Sequence, residues 1–152
     1  MTVNDYATQL NKNGILGFVT SGNSMWPFIK NKKTSVIVTK KEDRLKVHDV
    51  AFFVRVGEGY VLHRVMEVLS DGYMVCGDSQ TEYEYVKEDN VLGVLCGYYQ
   101  GKKYIDCSSE EYISAVNDWY NDLDRTKKIN DYYRKRRIIS RIKKVLTFGR
   151  LS

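Results

Sequence analysis

Val50-Ala51-Phe52-Phe53-Val54-Arg55-Val56, then Gly57-Glu58-Gly59, then Tyr60-Val61-Leu62-His63-Arg64-Val65-Met66-Glu67-Val68. Two runs rich in β-branched and aromatic residues flank a short glycine-containing turn. That is the pattern of an antiparallel hairpin with a long return strand. Downstream, Asp71-Gly72 is a tight-turn dipeptide, and Tyr73-Met74-Val75-Cys76 follows as the next strand. Val91 to Tyr99 and Lys103-Tyr104-Ile105 frame Gln100-Gly101 as a last hairpin. Upstream, Ser35-Val36-Ile37-Val38 and Ile15 to Thr20 read as strands, the latter leading into Ser21-Gly22-Asn23. Residues 4–12 suit a short helix with Asn4 as cap and Tyr6 and Leu10 on one face. The body from about residue 14 to 106 is therefore expected to be mostly antiparallel β.

The pattern changes at Ser108. Ser108 and Glu111 have capping-box spacing. Tyr112, Ile113, Val116, Trp119, Tyr120 and Leu123 then recur at helical period. A second helix is expected over about 126–147, with Ile138, Ile142, Val145 and Leu146 as an apolar stripe among Arg and Lys. The fold class expected is α+β, with a β-rich unit over 1–107 and a C-terminal helical hairpin over 108–152.

The chain has 152 residues, 43% of them hydrophobic, enough to bury a core. Its three cysteines, Cys76, Cys96 and Cys107, are odd in number and not in CxxC spacing, which argues for reduced thiols. The N-terminus lacks the basic and apolar regions of a secretory signal, and no apolar stretch approaches the roughly 20 residues of a membrane helix. A cytoplasmic location is expected. The net charge of +5 is unevenly spread. Residues 125–152 hold eleven Lys/Arg and a single acid, Asp131, for a net +10, which leaves −5 on residues 1–124. The basic tail, and not the body, sets the high isoelectric point.

Gly22-Asn23-Ser24-Met25-Trp26-Pro27 is the stretch that carries chemistry. A serine just after a glycine turn presents its hydroxyl at a strand end. An ordinary turn serine or helix cap is the plain alternative. The motif resembles the nucleophile segment of the signal peptidase and LexA-type serine peptidases, where a Ser-Met pair carries the nucleophile. Further segments follow in that superfamily's order. Leu45 to Phe53 resembles its L-x-x-G-D strand, with His48 where Gly is usual. Val61-Leu62-His63-Arg64-Val65 resembles the strand bearing the general base. Cys76-Gly77-Asp78-Ser79 resembles its G-D-N segment, and Val91-Leu92-Gly93-Val94-Leu95 its closing strand. The likeness covers about residues 14–100.

The resemblance implies a signal-peptidase-like β domain and a serine endopeptidase acting on a peptide or leader segment. Ser24 would be the nucleophile and His63 the base, as in the endoplasmic-reticulum-type enzymes, where His replaces the more usual Lys. A neutral imidazole is available near pH 7 without the desolvation a Lys requires. Asp78 is the expected third member, with Glu82 or Glu84 as substitutes at downstream positions where those enzymes carry Asp. Met25 and Trp26 are the expected substrate-binding residues; core packing is their other reading. The second oxyanion donor is open, because Gly22 stands where signal peptidases often have a Ser. No cofactor is implied.

Three other readings compete. A peptide-binding module that has lost catalysis would keep the same fold. His48, His63, Cys76 and Asp78 are zinc-ligand types, but their spacing matches no compact motif, so no metal is expected. A self-cleaving LexA-like regulator would need a DNA-binding domain, for which the residues before the first strand are too few. The basic helix suits a partner surface or an anionic membrane, giving a membrane-peripheral placement; no recognition motif supports nucleic acid.

Overall fold

Val50, Ala51, Phe52 and Phe53 are all buried, a continuous run rather than an alternation. That pattern belongs to a central strand covered on both faces. The computed structural model describes residues 3–151, with side chains from 5 to 149; an N-cap role for the Asn4 side chain lies outside the described residues. The chain is α+β. Its antiparallel strands are β1 (Ile15–Val19), β2 (Ser35–Lys40), β3 (Val50–Arg55), β4 (Gly59–Val68), β5 (Gly72–Cys76), β6 (Glu84–Lys87), β7 (Val91–Gln100) and β8 (Lys103–Asp106). They form one sheet in the order β1-β2-β7-β3-β4-β5-β6, with β8 also paired to β7. The helices are α1 (Val3–Asn13), α2 (Glu110–Asn121) and α3 (Arg125–Leu151). None is long and apolar enough to cross a membrane.

The β3–β4 hairpin forms in the expected register, with Arg55 opposite Gly59 and Ala51 opposite His63. Register shifts interrupt the pairing of β2 with β7, of β3 with β7 and of β4 with β5. Such bulges bend and twist strands, and they curl this sheet. One cluster of buried residues joins Leu45, Ala51, Phe53, Val65, Tyr73 and Val75. On α1, Leu10 is buried and Tyr6 stacks on Phe18, which in turn meets Phe52.

Two expectations need correction. The cap of α2 is Ser109, whose hydroxyl accepts from the Tyr112 N–H at 3.2 Å. Ser108 is diverted to Asp106, which accepts from both its N–H (2.8 Å) and its hydroxyl (2.7 Å). Strand β6, Glu-Tyr-Val-Lys, has only four residues, two of them charged, and gives no strand signal of its own.

The chain divides into two compact units, one up to Val116 and one from Asn117 onward, so the boundary falls inside α2. The first turns of α2 belong with the β-rich unit because the Tyr112 hydroxyl accepts a hydrogen bond from Arg64. In the second unit, Lys128 pairs with Asp122, and the Arg125 guanidinium lies over the rings of Trp119 and Tyr120.

Candidate active site

β1 delivers the chain to Ser24 through Thr20–Asn23. The segment after β1 is a series of tight turns, with the Trp26 N–H donating to Asn23 O and the Phe28 and Ile29 N–H groups to Met25 O. A second turn, Gly77–Gln80, clips onto this one. The Ser79 N–H donates to Ser24 O at 2.9 Å, and the Ser79 hydroxyl donates to Asn23 O at 2.7 Å. The approach requires glycine at position 77, since a Cβ there would stand 2.6 Å from the Ser24 carbonyl oxygen. The Ser-Met and Gly-Asp segments, over 50 residues apart in sequence, thus form one backbone unit.

His63 lies on the adjacent stretch of β4. Ser24 and His63 line the same cavity of about 430 Å3, together with Ser21, Met25, Tyr60 and Gln80. Among the hydrogen bonds described, none joins the Ser24 hydroxyl to His63. Catalytic bonds in unliganded sites commonly tighten only when substrate arrives. The His63 ring is buried, edge-on to Phe53, and its Nδ1 meets Glu84 Oε1 at 2.9 Å. With the proton on Nδ1, Nε2 is the ring's acceptor. Glu84 is itself held by Arg55, whose Nε donates to Oε2 at 3.2 Å and whose Nη2 bonds Oε1.

Burial lowers the His63 pKa below its ordinary 6.5, and Glu84 opposes that shift only in part. The ring is therefore neutral and basic at pH 7. The sign for stability follows. The unfolded chain binds a proton here before the folded one does. Stability linked to His63 is complete above pH about 6.5 and is lost as pH falls through the lower folded pKa.

Asp78, the expected third member, is bonded to Arg64 among the hydrogen bonds described, and its charge is a minor influence raising the His63 pKa. Asp78 and Arg64 are fully buried, and the two form a bidentate pair, Nε to Oδ1 and Nη2 to Oδ2, both 2.7 Å. Arg64 Nη1 also donates to His48 O at 2.8 Å and to the Tyr112 hydroxyl at 3.0 Å. The guanidinium lies over the rings of Phe28 and Tyr112. Neighbouring strand residues point to opposite faces, so His63 serves the cavity while Arg64 anchors the turns behind it. Glu84, the residue on the imidazole, sits at the start of the short strand the sequence did not reveal.

Met25 lines the cavity, whereas Trp26 is half-buried and is not among its lining residues. The Gly22 N–H is committed to Asn31 Oδ1 at 2.8 Å. Ser21 and Gln80 are polar residues on the same cavity, and Gln80 Oε1 accepts from the Gly77 N–H at 3.3 Å. No group of three His, Cys, Asp or Glu among the described residues is arranged to hold a metal. The Cys107 thiol is pushed by burial up to about 12, which removes it as a competing nucleophile.

His48 has φ of +76°, a left-handed conformation that costs an L-residue about 1–2 kcal/mol relative to glycine. Its backbone is pinned from both sides: its N–H donates to Val65 O at 2.8 Å, and its carbonyl accepts from Arg64. His48→Gly should therefore stabilise the chain by about 0.5–1 kcal/mol, net of the entropy glycine adds to the unfolded state. A raised urea midpoint with unchanged slope is the expected reading. A lowered midpoint would mean that the imidazole contributes more than its backbone geometry costs.

No family model, curated protein or solved structure matches this chain.

Proposed function

We propose that this chain is a serine endopeptidase of the signal-peptidase-like type, with Ser24 as nucleophile, His63 as general base and Glu84 as the group that orients the imidazole. The observation that carries the reading is that Ser24 and a buried His63 line one cavity, with a carboxylate on His63 Nδ1. This is the arrangement nucleophilic serine chemistry needs. The order of the sequence segments that resemble the superfamily, and an antiparallel curled sheet, fit the same reading.

In the proposed reaction, His63 Nε2 takes the Ser24 hydroxyl proton as Oγ attacks the scissile carbonyl. The tetrahedral oxyanion is met by the Ser24 N–H, with Ser21 or Gln80 as second donor. His63 then gives its proton to the leaving amine. Water, deprotonated by His63, hydrolyses the acyl-enzyme and restores Ser24. β1 supports a peptide substrate. It is an edge strand paired only with β2 among the described strands, and its end, Phe18 and Val19, lines the cavity together with Thr20 just beyond it. An extended peptide added along that edge is delivered to Ser24.

The test is phosphonylation of Ser24 by a fluorophosphonate probe, with loss of fluoride, across pH 5–9. Wild type should label, with an acid-side midpoint below 6.5, and Ser24→Ala and His63→Ala should not. Absence of labelling in folded wild type would reject the enzyme in favour of the peptide-binding module.

A further inference from the structure

The C-terminal half of α3 leaves a set of large apolar side chains in solvent. Ile138, Ile139, Ile142, Val145, Leu146 and Phe148 are between 49 and 73% exposed. At 100° per residue the first five fall within an arc of roughly 120°. Arg137, Arg141, Lys143 and Lys144 flank that arc and cover the back of the helix, and no acidic residue follows Asp131 in the sequence.

We propose that this half of α3 lies in the plane of an anionic lipid surface, its apolar arc among the acyl chains and its basic side chains on the headgroups. Three observations select this occupant. A second copy of the helix would place cations against cations, with no acid to pair them. Nucleic acid would satisfy the charges but leave the apolar arc in water. The helix is too polar to span a bilayer. An anionic interface complements both faces at once.

Flotation of the full chain tests this, using phosphatidylcholine vesicles with and without phosphatidylserine. The protein should float with the anionic vesicles, remain behind with the neutral ones, and be released by high salt. Ile142→Glu/Leu146→Glu should abolish flotation. Arg141→Gln/Lys144→Gln should weaken it roughly twenty-five-fold, at roughly fivefold per basic side chain. All four positions are exposed, so circular dichroism should show these variants folded. Ser24→Ala should float like wild type, because the docking is independent of the peptidase reading. Failure of wild type to float, equal flotation of the apolar variant, a dimer in sedimentation that Ile142→Glu/Leu146→Glu dissolves without vesicle binding, or RNA binding in place of vesicle binding would each overturn the proposal.

Discussion

Asp78→Ala should lower the unfolding free energy by about 3–5 kcal/mol, the usual cost of removing one partner from a buried ion pair. Arg64 cannot shed its charge to escape the loss. It would keep the His48 carbonyl, the Tyr112 hydroxyl and the rings of Phe28 and Tyr112, but lose the two 2.7 Å bonds that neutralise it. Against a typical total of about 5–15 kcal/mol, such a loss leaves the fold marginal. A urea melt reads it directly. Arg64→Met/Asp78→Ala should recover much of the difference, since an apolar pair removes the stranded charge along with its partner. If Asp78→Ala instead melted within about 1 kcal/mol of wild type and yet lost probe labelling, Asp78 would be serving the imidazole rather than the fold.

The body was legible in sequence wherever a strand had to be apolar. The β3–β4 hairpin announces itself because β3 is covered on both faces and its turn carries two glycines. β5, β7 and β8 follow by the same logic of turn dipeptides between β-branched runs. β6 was not legible. Tyr85 and Lys87 are exposed on an edge strand and Glu84 is half-exposed, so only Val86 is selected for burial. The candidate site inherits that blind spot in part, since the sequence offers Glu82 and Glu84 alike as substitutes for Asp78. Ser24 and His63 stand in segments with strong local character, but the residue on His63 Nδ1 is fixed by how far β6 reaches along β5. That pairing, Val75 opposite Glu84, is a tertiary fact. Asp78 is expected as the third member because Cys76-Gly77-Asp78-Ser79 resembles the superfamily's G-D-N segment. What it does depends on Arg64, whose burial cannot be read from a His-Arg dipeptide. The cap moved by one residue for a similar reason: Asp106 competes for Ser108, and Ser109 is left to start α2.

Glu84→Gln should reduce the rate of probe labelling by about 10²–10⁴-fold while leaving the urea midpoint close to wild type. The carboxylate accepts from His63 at one oxygen and from Arg55 at both. An amide has only one acceptor. If its oxygen stays with Arg55, its NH2 group faces Nδ1, which must then accept, and the proton moves to Nε2. That is the wrong tautomer for a base directed at Ser24. The charge that stabilises the imidazolium in the transition state is lost as well. The pH profile separates this role from a merely structural one. Glu84 raises the His63 pKa against the dominant effect of burial, so removing its charge should move the acid limb of probe labelling to still lower pH as the plateau falls. Because β6 is an edge strand and Glu84 is half-exposed, the fold should tolerate the change. A Glu84→Gln protein that kept both plateau and acid limb would reduce Glu84 to a surface partner of Arg55. The imidazole would then have to be oriented by another group, and a Ser24–His63 dyad without a carboxylate would be the arrangement to test.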